Sequence, residues 1–154
     1  ALGQAFRDLA ERARTRTPAQ VGDEYDALFI GLGRGELVPF GSFYLTGFLN
    51  EKPLALLRQD MTARGLARAE TVFEPEDNIA SLMEMMGAMI AGRFAAPVGL
   101  AGQKEFFNRH IGPWAGHFFS DLEGAMNSVF YAPVGTVGRA FMEIEVEAFR
   151  MSGE

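Results

Sequence analysis

Helical periodicity is the feature that most constrains how this chain folds. Apolar residues recur three and four positions apart in nearly every segment, and this spacing places them on one face of an α-helix. No strand-like alternation persists anywhere beyond Val38. The clearest apolar stripe consists of Val134, Val137, Phe141, Ile144, Ala148 and Met151. It predicts a last helix that begins near Pro133 and turns this stripe inward.

The same spacing predicts six or seven helices packed as an irregular, all-α multi-helix bundle. The other predicted helices cover about residues 1–16, 19–29, 53–65, 75–91, 100–110 and 113–129. Glycines at 31, 33 and 35 interrupt the pattern, and residues 39–44 read as an irregular aromatic connection. In the Met-rich helix we expect Ile79, Leu82, Met83, Met86 and Ile90 inside. Met85 and Met89 lie off that stripe and are candidates for an exposed apolar groove.

Composition narrows the class of protein. The chain has 154 residues, the size of one domain, so we predict a single helical domain over residues 1–154. Its formal net charge of -6 argues against nucleic acid and favours a cationic partner. It contains no cysteine, and no apolar run approaches the roughly 20 residues that span a bilayer. A cytoplasmic location is compatible with these features.

Catalysis finds no support in the sequence. No serine sits in a context that would activate it, so we predict that the protein is not an enzyme and holds no cofactor. The loop Gly31–Gly35 lacks the strand, helix and lysine of a nucleotide site. His110 and His117 are separated by Gly112-Pro113, and their spacing defines no metal geometry. Structural roles for the loop and the histidines are the simpler interpretation.

An acidic segment precedes the Met-rich helix. Glu74, Glu76 and Asp77 flank Pro75, and Asn78 follows. Proline suits the first position of a helix and acids suit its first turn, so the segment predicts a helix start at Pro75. The segment is more acidic than a helix start requires, and the excess charge points to a cationic ligand.

Several motifs, taken together and in order, resemble the TorD-like family of redox-enzyme maturation chaperones, the TorD/DmsD/NarJ group. Tyr25–Gly31 is similar to the Tyr-x-x-Leu-Phe helix end of the family, and Pro39–Tyr44 resembles its Pro-Tyr-x-Ser-x-Tyr connection. Glu74–Asn78 resembles its Glu-Pro-x-Asp-His motif, with asparagine in place of histidine. His110–Trp114, with the residues up to Glu123, resembles its later helices. The resemblance extends over about residues 20–150.

The resemblance implies an all-helical cytoplasmic chaperone. Such proteins bind the twin-arginine signal peptide or the apoprotein of a molybdenum-cofactor oxidoreductase, assist cofactor insertion and delay export. The family carries further helices before the region that matches Ala1, so we expect a truncated or processed chain. A domain-swapped homodimer is one way to cover the apolar surface left behind.

The residues and the resemblance together predict a peptide-binding site. Carboxylates of the acidic segment would meet arginines through charge-assisted hydrogen bonds, and aromatic residues and exposed methionines would take the apolar part. Asn78 keeps donor and acceptor capacity but cannot titrate as histidine does. The predicted site residues are Pro39, Phe40, Ser42, Tyr44, Glu74, Glu76, Asp77, Asn78, His110 and Trp114. Two alternatives stay open, namely a GTP-binding helical protein and a purely structural interaction domain.

Overall fold

The computed structural model describes residues 2–153 and contains eight α-helices, which confirms the predicted all-α class. They are α1 (Leu2–Thr15), α2 (Pro18–Tyr25), α3 (Gly41–Thr46), α4 (Lys52–Ala63), α5 (Ile79–Ala91), α6 (Leu100–Phe106), α7 (Ala115–Gly124) and α8 (Tyr131–Met151). A π-helical turn extends α2 over Asp26–Ile30, and another extends α6 over Phe107–Ile111. Within residues 2–153 the only β-type pairing is an isolated bridge between Phe40 and Asn78. None of the described helices is long and apolar enough to cross a membrane.

Residue contacts group these elements into two compact units. One unit comprises the described residues up to Val38 together with Ala115–Ala148. The other comprises Pro39–Trp114 and the residues from Phe149 onward. The predicted site residues lie between Pro39 and Trp114, inclusive, so all of them belong to the second unit.

Two glutamates organise the first unit. The Glu24 carboxylate is buried and accepts the backbone N–H groups of Val129, Phe130 and Tyr131 at 2.7, 3.1 and 2.9 Å. It therefore satisfies donors at the start of α8 that would otherwise lack a partner. The Glu36 carboxylate likewise accepts a backbone N–H in the turn between α7 and α8, that of Met126 at 2.6 Å.

Close approach of α7 and α8 also shapes the first unit. A side chain added at Gly138 would collide with the ring of Phe119, and one added at Gly135 would collide with the backbone of Glu123. Both glycines are buried in α8. Their lack of a Cβ atom is what allows the two helices to pack this closely.

The second unit has a dense core formed by α4, α5, the extended α6 and the end of α8. Its fully or nearly fully buried side chains are Leu54, Leu57, Met61, Leu82, Met89, Phe106, Phe107, Ile111, Trp114 and Phe149. The rings of Phe107 and Phe149 lie 5.0 Å apart, centroid to centroid.

Several predicted boundaries are wrong. The Met-rich helix α5 begins at Ile79, because Asn78 caps it, and Pro75–Asp77 form a turn outside the helix. Residues 41–46 form the short helix α3, where an irregular connection was expected, and α7 ends at Gly124. Within α5, Ile90 is 49% exposed and Met89 is 4% exposed, the reverse of the prediction.

The predicted orientation of the last helix is also wrong. α8 begins at Tyr131, close to the predicted start, but Phe141, Ile144 and Met151 are 44%, 51% and 70% exposed. The inward side chains are Met142 and Phe149, each 4% exposed. The glycine contacts of α8 explain this orientation of the helix. The side of α8 that carries Gly135 and Gly138 has no Cβ atoms at those positions and can approach α7 most closely.

Candidate peptide-binding site

The turn Pro75–Asn78 is joined to the segment Pro39–Ser42 by hydrogen bonds between distant parts of the chain. Gly41 donates its backbone N–H to the Asp77 carbonyl, and Ile79 donates to the Pro39 carbonyl, both at 2.9 Å. Ser42 donates its N–H to Asp77 Oδ2 at 2.7 Å. Two motifs that sequence reasoning placed side by side thus meet as one hydrogen-bonded cluster, which we call the Asp77 cluster (residues 39–42 and 75–78).

Asp77 holds the N-terminal end of α3. Its side chain is only 4% exposed, and the bond from Ser42 satisfies one of the N–H groups that a helix start leaves unpaired. The other carboxylate oxygen, Oδ1, and the Ser42 hydroxyl are both buried and have no hydrogen-bond partner among the described residues. Oδ2 of Asp77 therefore makes a structural contact within the protein, while Oδ1 can still accept a hydrogen bond.

Asn78 and Glu76 are engaged within the protein as well. The Asn78 side chain accepts the N–H of Ala80 at 2.9 Å, which is a standard N-cap of α5. Glu76 is paired with Arg58 of α4 through Nη2 at 2.8 Å and Nε at 3.0 Å. Burial is the largest single influence on Glu76 and opposes its ionisation. The hydrogen bonds from Arg58, a backbone hydrogen bond and the charges of Arg58 and Arg68 together outweigh burial and lower the pKa below its ordinary value of 4.5.

Glu74 is the exposed acid of the predicted set. Among the described residues its carboxylate has one polar contact, and it is a long one, 3.5 Å from Asn78 Nδ2 to Glu74 Oε2. Its backbone carbonyl accepts a bond from Arg68 Nη1 at 3.4 Å. Of the three predicted carboxylates, Glu74 is thus the one whose charge faces solvent.

His110 and Trp114 lie beneath the Asp77 cluster. Trp114 is 1% exposed and donates its indole N–H to the His110 carbonyl at 2.8 Å. Its ring centroid lies 5.4 Å from that of Tyr44, and a side chain added at Gly41 would meet its indole nitrogen at 3.0 Å. Tyr44 and Phe40 are half-buried.

The partner of His110 is Asp60, which sequence reasoning missed. His110 Nε2 lies 2.6 Å from Asp60 Oδ2, and Arg109 Nη1 lies 3.0 Å from Asp60 Oδ1. Burial is the largest single influence on Asp60 and raises its pKa. The hydrogen bond to His110 and the nearby charges, above all that of Arg109, together outweigh burial, so the pKa falls below its ordinary value. Fifty residues separate Asp60 from His110, and no local pattern signals the pair.

An apolar groove runs along α5 and includes Glu76 of the same turn, and we call it the α5 groove. Its volume is about 500 Å³. Its apolar lining comes from α4, α5 and the segments between and after them, namely Met61, Leu66, Val72, Ala80, Met85 and Phe94. Sequence reasoning placed Met85 in such a groove, but it found no role for the segment Gly65–Val72 that supplies one wall.

Three charged side chains also line the α5 groove. Glu76 carries the Arg58 pair described above, and Arg68 bonds the Glu74 carbonyl. Glu84 is exposed, and its carboxylate makes no hydrogen bond or ion pair with any residue between 2 and 153. The groove thus combines an apolar wall with one carboxylate that is open to a cationic group.

The glycine loop and the histidines show no arrangement typical of a nucleotide or metal site. Gly35 of the loop Gly31–Gly35 packs against the π-helical turn before it, since a Cβ atom added at Gly35 would lie 2.5 Å from the Leu28 carbonyl oxygen. Among the described residues, no three of the His, Asp and Glu side chains are grouped closely enough to hold a metal ion. His117 is exposed and His110 is bound to Asp60.

A comparison with protein families decides the relationship that the motifs suggested. The family model described as nitrate reductase delta subunit matches residues 1–120. The chain belongs to this family. The match includes the Asp77 cluster and the α5 groove.

Individual relatives agree with the family assignment. The chain is 25% identical over 150 residues to a protein of Vibrio atlanticus (strain LGP32) named chaperone protein TorD, covering 91% of this chain and 70% of that one. It is 28% identical over 125 residues to the TorD chaperone of Vibrio cholerae (strain O395), covering 73% and 57%. It is 25% identical over 144 residues to the TorD chaperone of Aliivibrio salmonicida (strain LFI1238), and the match covers 87% of this chain and 67% of that one. The predicted TorD-like membership is confirmed, and these relatives are named as chaperones, not as enzymes.

Matches of this kind cover 57% to 70% of the relatives' length. The activity of a whole TorD chaperone therefore comes to this chain as a proposal.

Proposed function

We propose that this protein is a cytoplasmic chaperone for a molybdenum-cofactor oxidoreductase. It binds the twin-arginine signal peptide or the apo form of that enzyme, assists cofactor insertion and delays export. The α5 groove is the observation that carries this proposal, because it offers an apolar wall beside an unpaired carboxylate. A twin-arginine leader has the complementary chemistry, a cationic pair followed by an apolar stretch.

The size and chemistry of the α5 groove suit a short peptide segment. Its volume of about 500 Å³ lies within the roughly 300–1,000 Å³ typical of ligand sites. Met85 and Phe94 can contact apolar side chains of varied shape, and methionine adapts to such variety because its side chain is flexible. Glu84 and Glu74 are the carboxylates that would accept arginine hydrogen bonds.

The predicted site residues then divide into two roles. The members that retain accessible surface would contact the peptide, and they are Pro39, Phe40, Tyr44 and Glu74. The buried members support that surface from within, since they hold α3 and α5 in position around the Asp77 cluster. These buried residues are Ser42, Glu76, Asp77, Asn78, His110 and Trp114.

A calorimetric titration tests the proposal. The probe is a synthetic peptide with two adjacent arginines followed by about 12 apolar residues, a length typical of a signal-peptide apolar region. We expect Glu84→Gln to weaken binding about three- to tenfold, because one charge-assisted hydrogen bond is lost. Met85→Gln should weaken binding by a similar factor, since it places a polar group against apolar side chains.

Matched controls are available on the same protein. Glu51→Gln removes an exposed carboxylate that makes no side-chain hydrogen bond among the described residues, and Met126→Gln removes a methionine that is 90% exposed and outside the groove. Neither control should change affinity. If Glu51→Gln weakens binding as much as Glu84→Gln, the peptide is held by net charge alone and the groove assignment fails. The assignment also fails if Met126→Gln weakens binding as much as Met85→Gln, because the apolar contact would then not be specific to the groove. Binding of GTP without binding of peptide would favour the nucleotide alternative, and binding of neither would favour a structural domain.

A further inference from the structure

One side of α2 borders an open groove within the first unit, and we call it the α2 groove. Its uncharged lining consists of Pro18, Val21, Gly22, Tyr25, Phe130 and Tyr131, all of which belong to that unit. Its volume is about 740 Å³. The α2 members of this lining lie three, four and seven positions after Pro18, so one face of the helix follows the groove along its length.

Contacting aromatic rings form a fixed wall of the α2 groove. The ring centroids of Tyr25 and Tyr131 lie 6.3 Å apart, and Phe29 lies 5.1 and 5.7 Å from them. The buried Glu24 carboxylate of α2 accepts the backbone N–H groups of Phe130 and Tyr131, which ties the start of α8 to α2. The wall is therefore formed before any ligand binds.

The tyrosine hydroxyls of this wall are available to a ligand. Neither the Tyr25 nor the Tyr131 hydroxyl makes a hydrogen bond with a residue between 2 and 153. Burial, together with the nearby Tyr25 and Glu24, raises the pKa of Tyr131, so its hydroxyl keeps its proton and can donate at neutral pH. An extended peptide offers backbone carbonyls to such donors, whereas a helix uses its carbonyls internally. The wall thus favours an extended ligand.

Opposite charges mark the two ends of the α2 groove. Arg16 precedes α2, Asp26 follows it, and both side chains line the groove. Arg16 is half-buried, and neither side chain makes a hydrogen bond or ion pair with any described residue. The eight residues of α2 rise about 12 Å, a distance that an extended chain covers in about four residues. An extended ligand with an acid and a base at that spacing would match both ends.

Gly22 leaves space in the middle of the α2 groove. A Cβ atom added there would meet no other atom within 4 Å, so packing within the described structure does not require glycine. Glycine also disfavours the interior of a helix relative to nearly every other residue. Its lack of a side chain lets the backbone of a ligand approach α2 closely.

We propose that the α2 groove binds an extended, proline-containing segment of a partner protein that carries an acid and a base about four residues apart. The acid pairs with Arg16 and the base with Asp26. The residues between them pack on the aromatic wall, since grooves lined by aromatic rings suit the polyproline II conformation. The inference uses residues of the first unit alone and does not rest on the proposed chaperone function.

Fluorescence anisotropy with labelled peptides tests the inference on the full chain. A peptide can run along the groove in either direction, so the probes contain Asp-Pro-Leu-Pro-Arg or the reverse order. One reference peptide has asparagine and glutamine in place of the two charged residues, and a second has the same composition as the probe with the charged residues adjacent. We expect one of the probes to bind more tightly than both references, and its affinity to fall as salt is added.

Variants at Arg16 test the charged end of the groove. Arg16→Gln should weaken binding of the better probe about three- to tenfold, because one charge-assisted hydrogen bond is lost. The matched control is Arg14→Gln, since Arg14 is exposed, has no polar side-chain contact among the described residues and does not line the groove. The control should bind the probe as the unchanged protein does.

Variants at Gly22 test the space in the middle of the groove. Gly22→Leu fills that space and should weaken binding at least about tenfold. The control is Gly87→Leu in α5, because Gly87 is also exposed within a helix and an added Cβ atom would also meet open space. Leucine is the better helix former, so neither change should lower Tm, and lost binding cannot then be ascribed to unfolding.

Several results would overturn the inference. Binding of the uncharged reference as tight as that of the better probe would remove the end charges from the site, and unchanged binding by Gly22→Leu would remove the groove. A loss for either control as large as for its matched variant would do the same. Tighter binding of a helical peptide with its two charges about eight residues apart would assign the groove to a helix. Self-association that Gly22→Leu abolishes, seen by analytical ultracentrifugation, would assign it to a second copy of this chain.

Discussion

Replacement of Asp77 separates a structural role from a peptide-binding role at the centre of the candidate site. Asp77 is 4% exposed, and its Oδ2 accepts the Ser42 N–H at 2.7 Å. Alanine removes this acceptor and leaves the N–H buried without a partner. Asparagine retains a carbonyl oxygen that can take the same position, but it removes the negative charge.

The structure gives the expected size of each effect. A hydrogen bond to a charged group contributes about 1.5–3 kcal/mol and a neutral one about 0.5–1.5 kcal/mol. Asp77→Ala should therefore cost about 2–3 kcal/mol of unfolding free energy, and Asp77→Asn about 1 kcal/mol. For a chain of this length these losses lower Tm by about 4–12 °C and about 2–4 °C.

Urea unfolding followed by circular dichroism measures these differences. Asp23→Ala is the control, because Asp23 is exposed and its carboxylate makes no hydrogen bond among the described residues. This change should stay within about 0.5 kcal/mol of the unchanged protein. An Asp77→Asn protein as unstable as Asp77→Ala would refute the reasoning, because the acceptor geometry would then be irrelevant.

The same two variants bear on function. Asp77→Asn keeps the Asp77 cluster assembled, so its affinity for the twin-arginine peptide reports on the carboxylate charge itself. Unchanged affinity in this folded variant would make Asp77 a supporting residue. A loss of about tenfold or more, which corresponds to about 1.4 kcal/mol, would assign it a direct contact with the peptide.

The remaining predictions concern stability. Gly138→Ala should cost about 1–3 kcal/mol in thermal unfolding, because the added methyl collides with the Phe119 ring. Glu24→Gln should cost about 1–3 kcal/mol, since glutamine can accept on one oxygen only and leaves at least one of three partly buried N–H groups unpaired. The pKa of Glu76 is lowered in the folded state, so its contribution to stability is present above pH 4.5 and is lost as pH falls below that value. Urea midpoints measured against pH should therefore decline less steeply in acid for Arg58→Ala than for the unchanged protein.

Local sequence patterns predicted the helices well where the causes of helix formation are local. α4 was expected from about Pro53 to Gly65 and runs over Lys52–Ala63, because proline at its start and glycine after its end are local signals. α3 was missed for the opposite reason. Its N-terminal end is held by Asp77, 35 residues further along the chain, and no window around Gly41 contains that information.

The start of α5 was misplaced because two residues compete to begin it. Pro75 satisfies the rule for a first helical position, and Asn78 satisfies the rule for an N-cap. The structure selects Asn78, since its side chain bonds Ala80 and the backbone at Ile79 is held by the Pro39 carbonyl. This outside bond again comes from a distant segment.

The sequence predicts which segments of the candidate site come together, but it does not predict which of their side chains are accessible. The motifs around Ser42 and Asp77 do meet, but sequence reasoning could not tell a buried carboxylate from an exposed one. The α5 groove depends on the course of the segment Gly65–Val72. That course has no helical period from which to infer it.

The distribution of carboxylates determines where a cationic partner can bind. A net charge of -6 suggests such a partner but treats every acid alike. Glu24 and Asp77 are buried and accept backbone N–H groups, and Glu76 is paired with Arg58, so these three carboxylates are already engaged within the protein. A cationic partner must therefore meet acids that have no such contact. Glu84 in the α5 groove satisfies this condition, which is why the proposed function depends on it more than on the acidic motif that first suggested it.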